Sequence, residues 1–277
     1  MSLGAGPQRR TPPQERHAYG LTILQPSHPE VRRLQQDAPR PTLHGHKVWP
    51  TSFVLLDYLH QRGIPPQTRV LELGCGWGLV GMACAKTFQA QVTGLDADAA
   101  VFPYLQLHAE RNGVHLATRQ GTFAELTPQD LAAFELIVGA DICFWEDLVD
   151  PLYQLVRHGV AAGVAEILVA DPSRPPFDEL CARCVPLGDA EVFTWTMTTP
   201  VAETGRILRV VGRGAEARHA GRHAGGALDG TRSGKASPAV KVWTAFAGIW
   251  TVSPVRGWRV VGQAAVRADS RSCPAHY

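Results

Sequence analysis

Val70-Leu71-Glu72-Leu73-Gly74-Cys75-Gly76-Trp77-Gly78 decides the fold. A short apolar run enters three glycines at alternate positions. A small-residue stretch, Leu79–Phe88, follows and reads as a helix. Glycine permits the tight turn and leaves no Cβ where a ligand approaches the backbone. A strand, a glycine turn and a helix in this order carry a nucleoside-type ligand against a sheet edge.

The same alternation continues on the C-terminal side. Strands are expected at 69–73, 91–95, 115–119, 135–140 and 166–170. Helices are expected at 79–88, 99–111, 146–158 and 177–184, and one more at 48–60 precedes the first strand. Segments 190–196 and 206–211 close the pattern as a strand pair. Strands alternating with helices predict a parallel sheet covered on both faces. The expected class is α/β: a doubly wound, mostly parallel, seven-stranded Rossmann-like sheet with helices on both faces and a C-terminal antiparallel strand pair. Ligands of such sheets bind beyond the carboxyl ends of the strands. Glu72, Asp96, Asp141 and Asp171 all fall at those ends.

Composition bounds the rest. The chain has 277 residues, 45% of them hydrophobic, enough for one such domain with residues to spare. No apolar run is long enough to span a membrane. The first residues show no secretory h-region, and six cysteines in a chain this long do not make a disulfide scaffold. A cytoplasmic setting is expected. Residues 1–42 are Pro-rich and read as a flexible arm, 43–211 as the domain, and 212–277 as a basic, Gly/Ala/Arg-rich tail. That tail holds ten of the 27 Lys and Arg but three of the 25 Asp and Glu. A disordered appendage is preferred there over a nucleic-acid-binding arm, with a short hairpin allowed within 243–259.

The glycines admit two ligands. Gly76, Gly78 and Gly81 spell the dinucleotide fingerprint, and Asp96 lies about 20 residues on, as a ribose contact requires. Glu72 and Gly74 favour the other ligand. A carboxylate at Glu72 would face a pyrophosphate badly and suits a sulfonium bearing an ammonium group. S-adenosylmethionine is therefore the favoured cofactor. The loop residues Glu72, Gly74, Cys75, Gly76 and Gly78 would hold it, and Asp96 would accept its ribose hydroxyls, with Asp98 as an alternative for that role. Ala97 and Ala140 are placed on the same face. Trp49, in Val48-Trp49-Pro50, either covers the methionine end or anchors its helix in the core. Thr122 and Phe123 follow the third strand, and Phe123 either covers the adenine or is core.

Asp141-Ile142-Cys143-Phe144 lies where an acceptor would meet the donor. Methyl transfer is a direct displacement, so the protein must align an acceptor nitrogen and keep its lone pair free. Asp141 can hold an amine, and the Phe144 ring can pack on its chain or on the developing cation. The competing role for Asp141 is to cap the helix that starts near Glu146. Cys181-Ala182-Arg183-Cys184 lacks a second ligand pair, so no metal is implied.

Over residues 43–211 the chain resembles methyltransferase family 16, the seven-stranded group that includes protein-lysine methyltransferases and nicotinamide N-methylase-like relatives. Val48-Trp49-Pro50, Val70 through Gly81, and Gly139-Ala140-Asp141-Ile142-Cys143-Phe144 carry the resemblance. It implies methyl transfer to a protein lysine, with Asp141 positioning the amine and Phe144 completing an Asp-x-x-Phe motif. Trp77 departs from the family, replacing a small or hydroxyl residue, and Phe123 stands near where a Trp is common. A protein substrate is preferred over a small amine or aromatic nitrogen, and a non-catalytic cofactor-binding protein is the further alternative. A monomer is favoured, with no membrane or nucleic-acid partner.

Overall fold

The computed structural model describes residues 14–187, 189–200 and 202–212, together with the strands at 243–246 and 249–252. The chain divides into two units, 1–225 and 226–277.

The first unit is built on a seven-stranded sheet. Its strands are β3 (Arg69–Leu73), β4 (Gln91–Asp96), β5 (Ala117–Gln120), β6 (Leu136–Ala140), β7 (Glu166–Asp171), β8 (Ala190–Met197) and β9 (Glu203–Val211). Their order is β5-β4-β3-β6-β7-β9-β8. All neighbours are parallel except β9, which runs antiparallel to β7 and β8. The alternation read from the sequence thus gives the expected fold. Chain order leaves β3 for β4 and β5 on one side and for β6 and β7 on the other. The crevice between the ends of β3 and β6 is the topological switch point where ligands of such sheets bind.

Central strands are apolar on both faces because helices cover both. Val70, Val92, Val138 and Leu168 join one core cluster, with α2 (Pro50–Arg62), α3 (Leu79–Phe88) and α4 (Phe102–Asn112). Leu71, Leu73, Ile137 and Val169 join the other, with α6 (Val149–Ala161) and α7 (Pro175–Cys184). A single-turn helix, α5 (Pro128–Leu131), adds Leu131 to that second cluster. Fully burying one such Leu or Val is worth roughly 1.5–3 kcal/mol.

The arm expected over 1–42 needs correction in its described part. Strands β1 (Glu15–Ala18) and β2 (Leu21–Leu24) pair antiparallel, and α1 (Pro29–Asp37) follows. The hairpin turns through Tyr19 and Gly20, both at positive φ (51° and 71°), the conformation that two-residue turns favour. It is ordered because α4 supplies its missing partners. The Asn112 side chain accepts from Thr22 N at 2.8 Å and donates to Thr22 O at 2.9 Å. His108 donates from Nδ1 to Tyr104 O, leaving Nε2 to accept from Leu24 N at 3.1 Å.

Asp57 of α2 ties this hairpin to the far edge of the sheet. Its carboxylate accepts from the Tyr19 hydroxyl, Gln61 Nε2 and the β8 residue Trp195, each at 2.8 Å.

In the second unit β10 (Trp243–Phe246) pairs antiparallel with β11 (Ile249–Val252), within the 243–259 segment where a hairpin was allowed. Apart from Gly212, the rest of the expected tail lies outside the described residues. No helix among the described residues is long and apolar enough to cross a membrane.

Candidate active site

A cavity of about 460 Å³ opens beyond the carboxyl ends of β3, β4 and β6. That volume suits a nucleoside-sized ligand. Gly74, Cys75, Gly76, Asp96, Ala97, Thr122, Phe123, Ala140, Asp141, Phe144 and Trp49 all line it. The fold therefore brings eleven of the thirteen candidates read from the sequence to one hollow.

The glycine loop forms the floor. Gly76, at φ +49°, is the cradle: a Cβ there would meet no protein atom within 4 Å. Gly78, at φ +73°, does not line the cavity but caps α3, and a Cβ on it would come 2.8 Å from Leu105 Cγ. Its glycine is demanded by packing beneath the loop rather than by a ligand above it.

Glu72 is not in the cavity wall either, which corrects its expected contact with an ammonium group. Its Oε1 accepts from Val80 N at 3.1 Å and its Oε2 from Gly81 N at 3.0 Å. These are donors in the first turn of α3, which has no side-chain cap of its own. Burial pushes the Glu72 carboxyl up to about 8, against the pull of the two backbone amides. Glu72 locks the loop to the helix from below.

Asp96 stands at the opposite wall. Its Oδ2 accepts from Gly76 N at 2.9 Å and its Oδ1 from Asp98 N at 3.0 Å. Each oxygen keeps a lone pair for a ligand hydroxyl. Burial raises its carboxyl above the usual range, with those amides opposing. Asp98 serves elsewhere. Its Oδ2 accepts from Thr42 N and the Thr42 hydroxyl, fastening the segment before α2 to the sheet edge.

That segment, 43–48, is a wall the sequence reading missed. Trp77 anchors it. Its indole donates to Gly45 O at 2.9 Å, and its ring stacks on Tyr104 with centroids 5.5 Å apart and planes 4° from parallel. The departure at Trp77 thus fills the space under the loop and pins the wall. Trp49 lines the cavity as the N-cap residue of α2 while its Nε1 donates to His44 O at 3.1 Å. Phe123 lines the cavity and also packs on the second core cluster.

Asp141 lies where β6 ends, at φ +60°. Its Oδ2 accepts from Thr51 N at 3.2 Å, in the first turn of α2. It therefore serves a helix that lacks a side-chain cap, but α2 rather than the helix near Glu146. Its Oδ1 accepts from Arg174 Nη2 at 3.1 Å. Arg174 also grips the fully buried Asp171, through Nε at 3.0 Å and Nη2 at 2.6 Å. Burial raises the Asp141 carboxyl, while Thr51 and Arg174 oppose that rise. Sequence reading missed Arg174; its signal was its place three residues after the strand-end Asp171. Phe144 packs edge-on against His44 and Trp145, with centroids 5.2 and 4.7 Å away. Trp145 is half exposed, so this aromatic rim faces outward.

Cys181 and Cys184 are both buried, and burial pushes each thiol up to about 12. They pack in the second core cluster.

A seven-stranded sheet of this order, with a glycine loop at its switch point and a carboxylate at the end of the next strand, is the arrangement of class I S-adenosylmethionine-dependent methyltransferases. The comparisons with known proteins narrow this. The family model described as lysine methyltransferase matches residues 32–179, and the chain belongs to that family. Protein N-lysine methyltransferase METTL21A of Xenopus tropicalis is 33% identical over 40% of this chain and 53% of its own length. Electron transfer flavoprotein beta subunit lysine methyltransferase of Rattus norvegicus is 29% identical, over 47% of this chain and 50% of its own. A ubiquinone biosynthesis O-methyltransferase of Hahella chejuensis is 30% identical, over 35% of this chain and 39% of its own. The chain thus spans about half the length, or less, of these curated relatives.

The residues present fit the family's cofactor, S-adenosylmethionine. Gly76 leaves the cradle open, Asp96 offers acceptors at one wall, and Trp49, Phe123 and Ile142 supply apolar and aromatic surface.

Proposed function

We propose that this chain is an N-methyltransferase whose acceptor is a lysine side chain of a protein. The carrying observation is Asp141: a carboxylate in the wall of the cofactor cavity, beside an outward-facing rim of His44, Phe144 and Trp145. The bound cofactor supplies an electrophilic methyl group. Asp141 accepts a hydrogen bond from the acceptor amine and holds its nitrogen in line. With the cofactor bound, the nitrogen lone pair held by Asp141 would take the methyl group, the sulfonium sulfur would be the leaving group, and solvent would take the proton left on nitrogen. Phe144 packs on the alkyl chain and faces the developing cation. The family match and the two lysine-methyltransferase relatives support a protein acceptor.

A small aromatic nitrogen compound is the second reading, favoured by the cluster of rings on the rim. The test is transfer of labelled methyl from S-adenosylmethionine to proteins of a cell extract, run with Asp141→Asn. Incorporation into lysine, reduced about 100-fold in the variant, is expected. Label found in a small molecule instead, or incorporation unchanged by the substitution, would overturn the reading.

A further inference from the structure

A second cavity, of about 310 Å³, lies on the other side of the wall from the cofactor hollow. Gln35, Arg40, Pro41, His46 and Tyr104 line it. Two observations set it apart. Tyr104 is buried, and its hydroxyl makes no hydrogen bond, the one such buried side-chain atom among the described residues. An orphaned buried hydroxyl is costly unless something completes it. Arg40 also pairs with no carboxylate among the described residues, and it lines the same cavity as Tyr104. Burial raises the Tyr104 phenol above its ordinary value, so at neutral pH it keeps its proton and acts as a donor.

We propose that this cavity is an oxyanion site, taking a phosphate or carboxylate group from Arg40, Tyr104 and the Gln35 amide. The lining is suited to that chemistry: a guanidinium, a phenol and an amide all donate, and no Asp or Glu is among the lining residues. The site adjoins the cofactor hollow through shared parts. Tyr104 stacks on Trp77, Trp77 holds Gly45, and Gly45 and His46 are consecutive residues facing different cavities. An anion bridging Arg40 to Tyr104 therefore stiffens the 40–47 segment and tightens cofactor binding. That second effect rests on the cofactor reading above; the anion site does not.

The test is calorimetric titration of the full chain with inorganic phosphate and, separately, acetate, with chloride holding ionic strength constant. Saturable binding of at least one anion is expected. It should weaken about tenfold in Arg40→Gln and about three- to tenfold in Tyr104→Phe, which keeps the stack on Trp77. S-adenosylhomocysteine should bind the wild type several-fold more tightly once the anion is saturating, and this gain should vanish in both variants. Absence of anion binding, or equal binding by wild type and variants, overturns the site. Anion binding with unchanged S-adenosylhomocysteine affinity overturns the coupling. Anion binding without any S-adenosylhomocysteine binding upholds the site and overturns the cofactor reading instead.

Discussion

Glu72→Gln separates a residue that touches the cofactor from one that holds the loop beneath it. The wild-type carboxyl receives two backbone donors, Val80 N and Gly81 N, one on each oxygen. Even when protonated it keeps lone pairs on both oxygens. A glutamine offers one oxygen, so its NH₂ must face the other N–H. Leaving that buried amide without an acceptor costs about 1–3 kcal/mol. For a domain of this size the melting temperature falls by about 2–4 °C per kcal/mol. The penalty also carries a pH signature. Burial lifts the folded Glu72 carboxyl from 4.5 to about 8. Between those values the folded chain holds a proton that the unfolded chain has released, so wild-type stability falls as pH rises. The slope is about 1.4 kcal/mol per unit, and the loss saturates once pH passes the folded value. Glutamine does not titrate. The variant should therefore be less stable than wild type by about 1–3 kcal/mol at pH 5, and the gap should shrink and then reverse on the way to pH 8. Urea unfolding at four pH values measures this, with S-adenosylhomocysteine titrations alongside. A stability change below about 0.5 kcal/mol at pH 5, together with a tenfold or greater loss of cofactor affinity, would refute the argument. Glu72 would then be a ligand contact, as its place at a strand end suggests.

Three further outcomes are expected. Gly76→Ala and Gly78→Ala should diverge although both glycines have positive φ: the Gly78 variant loses about 2–4 kcal/mol through strain and overlap with Leu105, whereas the Gly76 variant folds with a loss of about 1–2 kcal/mol but binds S-adenosylhomocysteine poorly, as unfolding curves and calorimetry will show. Asp96→Asn trades one of two carboxylate acceptors for a donor facing Gly76 N or Asp98 N, and should weaken S-adenosylhomocysteine at least about tenfold by calorimetry. Arg174→Gln strips the cation from the fully buried Asp171 and from Asp141, costing about 3 kcal/mol in urea unfolding at pH 7, with part of that recovered in acid as Asp141, whose carboxyl burial already raises, takes up a proton.

Most of the sheet was legible because β3, β6 and β7 are buried on both faces, so their runs are mostly apolar, with a carboxylate at or next to the end of each. The strand at 115–119 was harder: β5 is an edge strand of exposed or half-buried residues, and it begins two residues later than expected. The hairpin Glu15–Leu24 was invisible because its partners, His108 and Asn112, lie more than 80 residues away. Four-residue strands carry too little periodicity to announce themselves. In the site, position along a strand end was enough to bring Asp96 and Asp141 to the wall of one cavity. Side-chain direction was not available from position. Glu72 therefore looked like a ligand contact although it points under the loop, and Asp141 was matched to the nearer helix rather than to α2. The 43–48 wall escaped because nothing in its spacing marks it, and Arg174 because its place three residues after Asp171 is a short-range cue that only the folded contacts with Asp171 and Asp141 make meaningful.

Asp57 has a consequence for how the polypeptide becomes a molecule during synthesis. The residues that correspond to the family end at 179, yet the Asp57 carboxylate is completed by Tyr19 before that span and by Trp195 after it. The stretch held in common with relatives and the stretch that must be present to satisfy its interior are different lengths. On a ribosome the hairpin and α2 emerge early but wait for β8, so closure belongs among the last folding events rather than the first. A fragment trimmed to the shared span would carry a carboxylate with two of its three donors missing. Expression boundaries drawn from relatedness alone would thus cut through a cooperative unit.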